Sequence, residues 1–488
     1  MGDLQGSRAI GQAVSDDAPA RAAGETPVAG VSREVGAARD EAPPVADLLY
    51  GLDDRPPLRE TVFVALQHVL AVFVGIVTPP LIVAGALKLD AHDTAYLVSM
   101  SLLVSGIATM LQTSRLGPIG SGLLSIQGTS FTFIAPIIST AGALMAGGAS
   151  RQGALATVFG LCLGGALIVI LASRFIRLAS AAITPIVTGT VVTLIGLTLL
   201  QVAAINVGGG YGAKADGTFG SLANLGLAAI VIAVILIFNS SRSRHLRMLS
   251  VVLGIAAGYI VGIVLGRVDL SALRTASLLT VPLPFRYGLG FSWSAFVPFA
   301  LMYLITVMES IGDLTATSAL TGQPIAGPVY FRRLQGGLLA DGLNSVLGAC
   351  LNSFPSTTFA QNNGVIQLTG VGSRHVGVFI GGMLLVLGLV PLVGVLVQAL
   401  PPAALGGATL ILFGMVAASG IRILARVSMN RRNAVILAIS LGLGLGVTFV
   451  PELLDALPPL LKSALSSGIA VGGLAALGLN IVLPGERQ

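Results

Sequence analysis

The sequence predicts an all-α polytopic membrane protein with fourteen transmembrane segments. Three observations predict it. Hydrophobic residues make up 54% of the 488 residues and charged residues only 10%, against roughly 25% charged in a soluble globular chain. The mean hydropathy is +0.91. From Thr61 onward, apolar stretches near the ~20 residues that cross a bilayer alternate with short polar loops. A water-facing surface cannot be built from what remains. Nucleic-acid binding is disfavoured, because the net charge of +6 is spread along the chain. Cys162 and Cys350 both lie in apolar runs, which excludes a disulfide framework and the common zinc patterns.

Residues 1–60 come first and differ from the rest. They hold 11 of the 21 acids, much Ala, Gly and Pro, and no apolar run. This reads as a disordered cytoplasmic tail without the features of a signal peptide. The expected spans follow at 61–80, 94–112, 122–139, 153–172, 182–203, 222–239 and 249–266. A second set follows at 294–315, 336–351, 357–370, 376–399, 404–421, 433–450 and 464–484. With a cytoplasmic N-terminus, twenty of the 27 Lys and Arg fall on the cytoplasmic side and seven outside. None falls within an expected span. Omitting one span would reverse every later loop and spoil that asymmetry, so the positive-inside rule supports fourteen spans with both termini in the cytoplasm.

Only three acids fall in spans: Glu309, Asp313 and Asp341. His68 is the one histidine there. An ionisable group in a bilayer is costly and usually marks a pathway or relay. A single such acid can equally tie two helices together. Glu309 and Asp313 are four residues apart, on one helix face. Joint ionisation of two like charges is disfavoured, which is a way to hold an exchangeable proton.

Spans 3 and 10 are unlike simple helices. Span 3 runs from Gly117-Pro-Ile-Gly through Gln127-Gly-Thr-Ser130-Phe131 to Pro136. Span 10 runs from Asn352-Ser-Phe-Pro355 through Ser-Thr-Thr-Phe-Ala360 to Gln361-Asn362-Asn363-Gly364. Each has extended Ser/Thr-rich residues, a Gln at mid-depth, then an apolar helical stretch. Non-helical backbone at that depth is tolerated only inside protein or along a cavity. Interrupted segments at matching positions of two halves point to a transporter binding site. Each is the third span of a seven-span half, and an odd number of spans inverts the second half. The expectation is two inverted seven-span repeats, with short extended segments meeting near the midplane and helix N-termini turned toward the site.

The candidate lining is Glu309, Asp313, Gln361, Asn362, Gln127, Ser130, Phe131, Gln67 and His68. Carboxylates, amides, a hydroxyl and an aromatic ring suit a planar polar heterocycle, with paired hydrogen bonds to its edge and stacking on its face. No Lys or Arg within the spans is available to pair with an inorganic anion. Gly442-Leu-Gly-Leu-Gly446 reads as a helix-packing surface, not a nucleotide loop.

Gln361-Asn-Asn-Gly-Val-Ile-Gln-Leu-Thr-Gly370 resembles the signature of the nucleobase–ascorbate transporter family, [Q/E/P]-N-x-G-x-x-x-x-T-[R/K/G], at every fixed position. Gln67-His68, Gln127-Gly-Thr-Ser-Phe131, Glu309-Ser-Ile-Gly-Asp313 and Asp341-Gly-Leu-Asn344 resemble it as well, in the same order. The similarity runs from about Tyr50 to Pro484.

The resemblance implies a core domain of spans 1–4 and 8–11 (61–172 and 294–399) and a gate domain of spans 5–7 and 12–14 (182–266 and 404–484). It implies a homodimer in the inner membrane and purine–proton symport by alternating access. The proton is then a co-substrate, with no cofactor, metal or catalytic residue. By position, Glu309 and Gln361 would hold the nucleobase and Phe131 would stack on it, helped by backbone near Ala360. Asp313, His68, Asp341, Asn362, Gln67 and Gln127 would couple the proton or tune the site. Gln at position 361 is associated with xanthine-type purines and Glu there with uracil. Ser130 stands where some xanthine-selective members have Asn, and the smaller side chain leaves room for an oxygen at C8. Xanthine and uric acid therefore both remain open. The alternatives are another nucleobase, uracil among them, or an inorganic anion on the same plan. An intramembrane enzyme finds no metal-ligand cluster or nucleophile–base pair to support it.

Overall fold

Long apolar runs make most of this chain helical, and Ser/Thr-rich interruptions break two of the spans. The computed structural model describes residues 48–176, 183–269, 279–359, 361–457, 462, 465 and 467–483. The first half contains α1 (Leu58–Leu87), α2 (Ala91–Ser114), strand β1 (Gln127–Thr129), a 3-10 turn (Phe131–Phe133) and α3 (Ile134–Ala146). It continues with α4 (Arg151–Arg174), α5 (Pro185–Val207), the short α6 (Gly210–Ala215), α7 (Leu222–Asn239) and α8 (Arg244–Val264). The second half contains α9 (Trp293–Leu320), α10 (Gly327–Cys350), strand β2 (Ser356–Thr358) and α11 (Gln361–Thr369). Then come α12 (Arg374–Leu389), α13 (Pro391–Gln398), α14 (Pro402–Leu424), α15 (Arg431–Phe449) and α16 (Gly468–Val482).

Eight of these helices are long and apolar enough to cross a bilayer: α1, α2, α4, α5, α7, α9, α14 and α15. The pair α12–α13 makes a ninth if counted as one span, bent by 76°. Pro391 begins α13 and lacks the N–H that would continue α12, while Val390 is extended. The span expected at 376–399 is therefore two helices. The α3 segment, the apolar part of α8 (Leu249–Val264) and α16 are apolar but shorter. Helix α10 has 24 residues, about 36 Å at 1.5 Å per residue. It begins nine residues before the expected span and so takes in Arg332 and Arg333. Arg333 is buried, and its guanidinium donates to the backbone oxygens of Ser121 and Gly122 and to Gln323 Oε1. A cation thus sits within a helix where the sequence placed it in a loop.

The tail also ends earlier than residue 60. Residues 1–47 lie outside the described residues. Residues 48–57 are docked: Leu49 N donates to Gly370 O, Gly372 N to Tyr50 O, and Arg374 N to Leu52 O. Leu52 is buried, and α1 is already helical at Leu58. Backbone pairing of this kind needs no apolar run, so the composition gave no sign of it.

Small residues set the close helix contacts. Gly106 of α2 faces Gly381 of α12 so closely that an added Cβ would lie 2.6 Å from the Gly381 carbonyl oxygen. Helices α5 and α14 make the other extensive pair, and α10 packs on α4. Side-chain burial alone cannot drive such pairing in lipid; close backbone approach does.

The segment 279–291 straps the ends of several helices. Its Thr280 N donates to Leu389 O, Phe285 N to Cys350 O and Gly290 N to Ala156 O. Tyr96 OH accepts from Leu283 N at 3.0 Å. Arg286 pairs with Asp93 at 3.0 Å and lies over the Tyr96 ring, 4.2 Å from its centroid. Tyr287 donates to the same Asp93 oxygen at 2.8 Å. Burial, and then that carboxylate, push the Tyr287 phenol well above its usual range, so it stays a donor.

Candidate functional site

The two interrupted spans meet as a buried antiparallel pair. Gln127 pairs with Thr358, Gly128 with Thr357 and Thr129 with Ser356. Ser130 N donates to Pro355 O at 2.8 Å, and Phe359 N to Ile126 O at 3.0 Å. All six strand residues are buried. Two edges of so short a sheet would otherwise be unsatisfied. Side chains supply partners on both sides. Thr109 Oγ1 of α2 accepts from Gln127 N at 3.0 Å, and Ser345 Oγ of α10 accepts from Ser356 N at 3.1 Å. Helical turns follow each strand at once, at Phe131 and at Gln361.

Helix α9 lies against this pair, and one of its faces serves both segments. Thr132 Oγ1, just past β1, donates to Glu309 Oε2 at 3.3 Å. One turn on, Thr358 Oγ1 of β2 donates to Asp313 Oδ2 at 3.0 Å. A further turn on, Thr317 Oγ1 donates to Asn363 Oδ1 of α11 at 2.8 Å. Ser310 Oγ donates to Asp341 Oδ2 of α10 at 2.5 Å and lies 3.4 Å from Thr357 Oγ1. Glu309, Asp313 and Asp341 lie within electrostatic reach of one another. Among the described residues no Lys or Arg forms an ion pair with any of them; the ion pairs are Arg286–Asp93, Arg374–Asp53 and Lys462–Asp455.

The remaining expected residues divide into engaged and open groups. Gln127 Oε1 accepts from Ser356 Oγ at 3.3 Å, while its Nε2 has no partner among the described residues. Asn362 Nδ2 donates to Leu124 O at 2.5 Å. Its Oδ1 faces His68 without meeting hydrogen-bond geometry, and both His68 ring nitrogens lack partners among the described residues. Ser130 Oγ is buried and likewise unpartnered. Gln361 opens α11, half-buried. Gln67 is half-buried on α1 beside His68. Ala360 lies outside the described residues.

Phe131 is held on two sides. The Phe359 ring stacks on it at 5.8 Å and 16°, and Phe413 of α14 meets it edge-on at 5.2 Å. Phe359 in turn fills the space left by Gly75 and Gly128, where an added Cβ would meet its ring. Sequence reasoning missed Thr132, Thr358, Ser310, Phe359 and Phe413 as parts of this site. Ser310 and Thr132 adjoin residues it did single out, and Thr358 lies in the quoted segment of span 10. Phe413 had no local signal, being one apolar residue in an apolar helix.

Carboxylates, amides, hydroxyls and an aromatic ring are gathered here, groups that can hydrogen-bond and stack on a polar planar molecule. Residues 59–453 match a family model described as a permease family. The chain belongs to the nucleobase–ascorbate transporter family. It is a transporter, not an enzyme. It is 49% identical over 455 residues to the xanthine permease XanP of Escherichia coli (strain K12), covering 92% of this chain and 98% of that one. It is 46% identical over 440 residues to the xanthine permease XanQ of the same organism, covering 90% and 94%. Among solved structures it resembles the transmembrane domain of a cyanobacterial bicarbonate transporter, BicA. The TM-score is 0.58 at 14% identity, covering 85% of this chain and 99% of that one. At that identity the likeness concerns the fold alone. Members of this family are multi-pass membrane proteins, and this chain carries the spans to be one.

Proposed function

We propose that this permease imports xanthine, and uric acid as a second substrate, together with protons across the inner membrane. The observation that carries the reading is the convergence of Glu309, Phe131 and the start of α11 at Gln361 on one buried strand pair. Glu309 accepts one hydrogen bond and Gln361 offers both a donor and an acceptor, which suits the edge of a purine dione. Phe131 supplies a ring face. The two E. coli xanthine permeases share nearly half of this sequence. The Ser130 hydroxyl, without a partner among the described residues, is a donor for an oxygen at C8, which favours urate as well.

Proton coupling is supported by three neighbouring carboxylates, Asp313 and Asp341 buried and Glu309 half-buried, without a basic partner among the described residues, an arrangement in which joint ionisation is costly. An inorganic anion fits it poorly, although the fold is shared with a bicarbonate transporter.

The two-fold plan is supported by the matched edge partners. Thr109 of span 2 serves span 3, and Ser345 of span 9 serves span 10. The extensive helix pairs α2–α12, α4–α10 and α5–α14 each stay within the core or within the gate. Alternating access would move one set against the other, with Phe131 and Phe413 in contact across them. A homodimer is favoured by the open face of α15, where a Cβ added at Gly442 or Gly446 would meet nothing within 4 Å among the described residues. The charge asymmetry of the loops favours cytoplasmic termini.

The test is uptake of radiolabelled xanthine by cells lacking their own purine permeases, with and without a protonophore. Competition by unlabelled urate, uracil and guanine runs alongside. Protonophore-sensitive uptake blocked by urate but not by uracil is expected. No xanthine uptake from protein shown to reach the membrane overturns the substrate.

A further inference from the structure

A groove of about 580 Å³ runs between α1 and α12, lined by apolar residues including Leu66 and Val69 on one side and Phe379, Gly382, Met383 and Val386 on the other. Leu66 is 45% and Val386 57% exposed, so the groove opens to the bilayer rather than to the polar site. The two helices start side by side. Arg374 N donates to Leu52 O, and Arg374 Nε pairs with Asp53 at 2.8 Å. Phe379 is five residues and Val386 twelve residues into α12. At 1.5 Å per residue the groove spans about 8–18 Å of depth. That stretch of about 10 Å is shorter than the hydrocarbon of one leaflet, half of a core about 30 Å thick, and takes part of one chain's length.

The mouth of the groove is basic. Arg59 precedes Leu66 by seven residues, so it lies on the same face of α1 two turns nearer the membrane surface. It is exposed and has no acidic partner among the described residues. His375 precedes Phe379 by one turn, and its ring meets the Phe379 ring at 5.3 Å and 69°. The neighbouring acids are engaged elsewhere: Asp53 with Arg374, Asp54 with Gly51 N at 2.7 Å, and Glu60 with Tyr50 OH at 2.7 Å. A cation left free above an apolar slot within one leaflet is complementary to a phosphate with a chain below it.

We propose that this groove holds an acyl chain of an anionic phospholipid, with its phosphate on Arg59 and His375. The site is separate from the strand pair and does not depend on which solute is carried. Gly382 permits a clean test of the slot. Among the described residues, an added Cβ there would meet only Met110 Cε, at an ordinary 3.5 Å. Gly382→Leu therefore fills the groove without a backbone clash and improves helix propensity.

The unfolding midpoint of the full-length protein in detergent would be measured with added phosphatidylglycerol or phosphatidylcholine of identical chains. Phosphatidylglycerol is expected to raise the midpoint further than phosphatidylcholine. Arg59→Gln, an exposed change that leaves packing intact, should remove that excess, and Gly382→Leu should shrink the shift with both lipids. Equal shifts by the two lipids in the wild type, or an excess that survives Arg59→Gln, would overturn the phosphate contact. A full shift retained in Gly382→Leu would overturn the groove as the chain's place.

Discussion

Ser310 donates to Asp341 Oδ2 at 2.5 Å, joining α9 to α10 beside the residue that reaches the strand pair. The Gln127 amide also faces Asp341, without meeting hydrogen-bond geometry. Ser310 is therefore a main support of a buried acid, and it directly follows Glu309 in the chain.

Ser310→Ala leaves that carboxylate without its donor. A lost hydrogen bond costs about 0.5–1.5 kcal/mol, and about 1.5–3 kcal/mol where the acceptor is ionised. The expected result is a lower unfolding midpoint and reduced uptake, measured on the same preparation. Asp341→Asn in the Ser310→Ala background should recover part of the midpoint, because an amide is less costly to leave unpaired than a carboxylate.

Thr358→Val is close to isosteric and removes the donor to Asp313. If this bond holds Asp313 for proton transfer, uptake should fall about tenfold, the equivalent of ~1.4 kcal/mol. Substrate KM should change little, and the pH profile of uptake should move. An unchanged pH profile with a raised KM would assign Thr358 to substrate binding instead.

Glu309→Gln should abolish uptake while leaving the protein in the membrane, since a neutral amide cannot offer the two acceptor oxygens that the proposed purine contact requires. Gln361→Glu exchanges an amide donor for an acceptor. Xanthine should compete less well and uracil better in the variant, read from inhibition of residual uptake.

Tyr96→Phe tests the strap. It removes the hydroxyl that accepts from Leu283 N at 3.0 Å while keeping the ring beneath Arg286. A hydrogen bond of this class contributes about 0.6–1 kcal/mol. A small drop in the midpoint is expected, with KM for xanthine unchanged. Gly106→Leu should be far worse, because its Cβ would lie 2.6 Å from backbone atoms of Gly381 and Leu385 in α12. Its measure is the amount of folded protein recovered from membranes.

Much of this molecule follows from the sequence alone. Depth and polarity are written along each helix, because every residue in a span meets either lipid or protein. That fixed the membrane class, the positions of most spans and the two interrupted ones. It also put Glu309 and Asp313 on one face of α9, since four residues is about one turn. The tertiary structure decided what those residues touch. The pairing of Gln127 with Thr358 and the bonds from Thr132 and Thr358 to the acids join residues far apart in the chain, and no local pattern encodes them. Phe413 against Phe131, the packed segment 48–57 and the burial of Arg333 have the same origin. A sequence shows which groups are costly to bury, and only the folded backbone shows which partner offsets each cost.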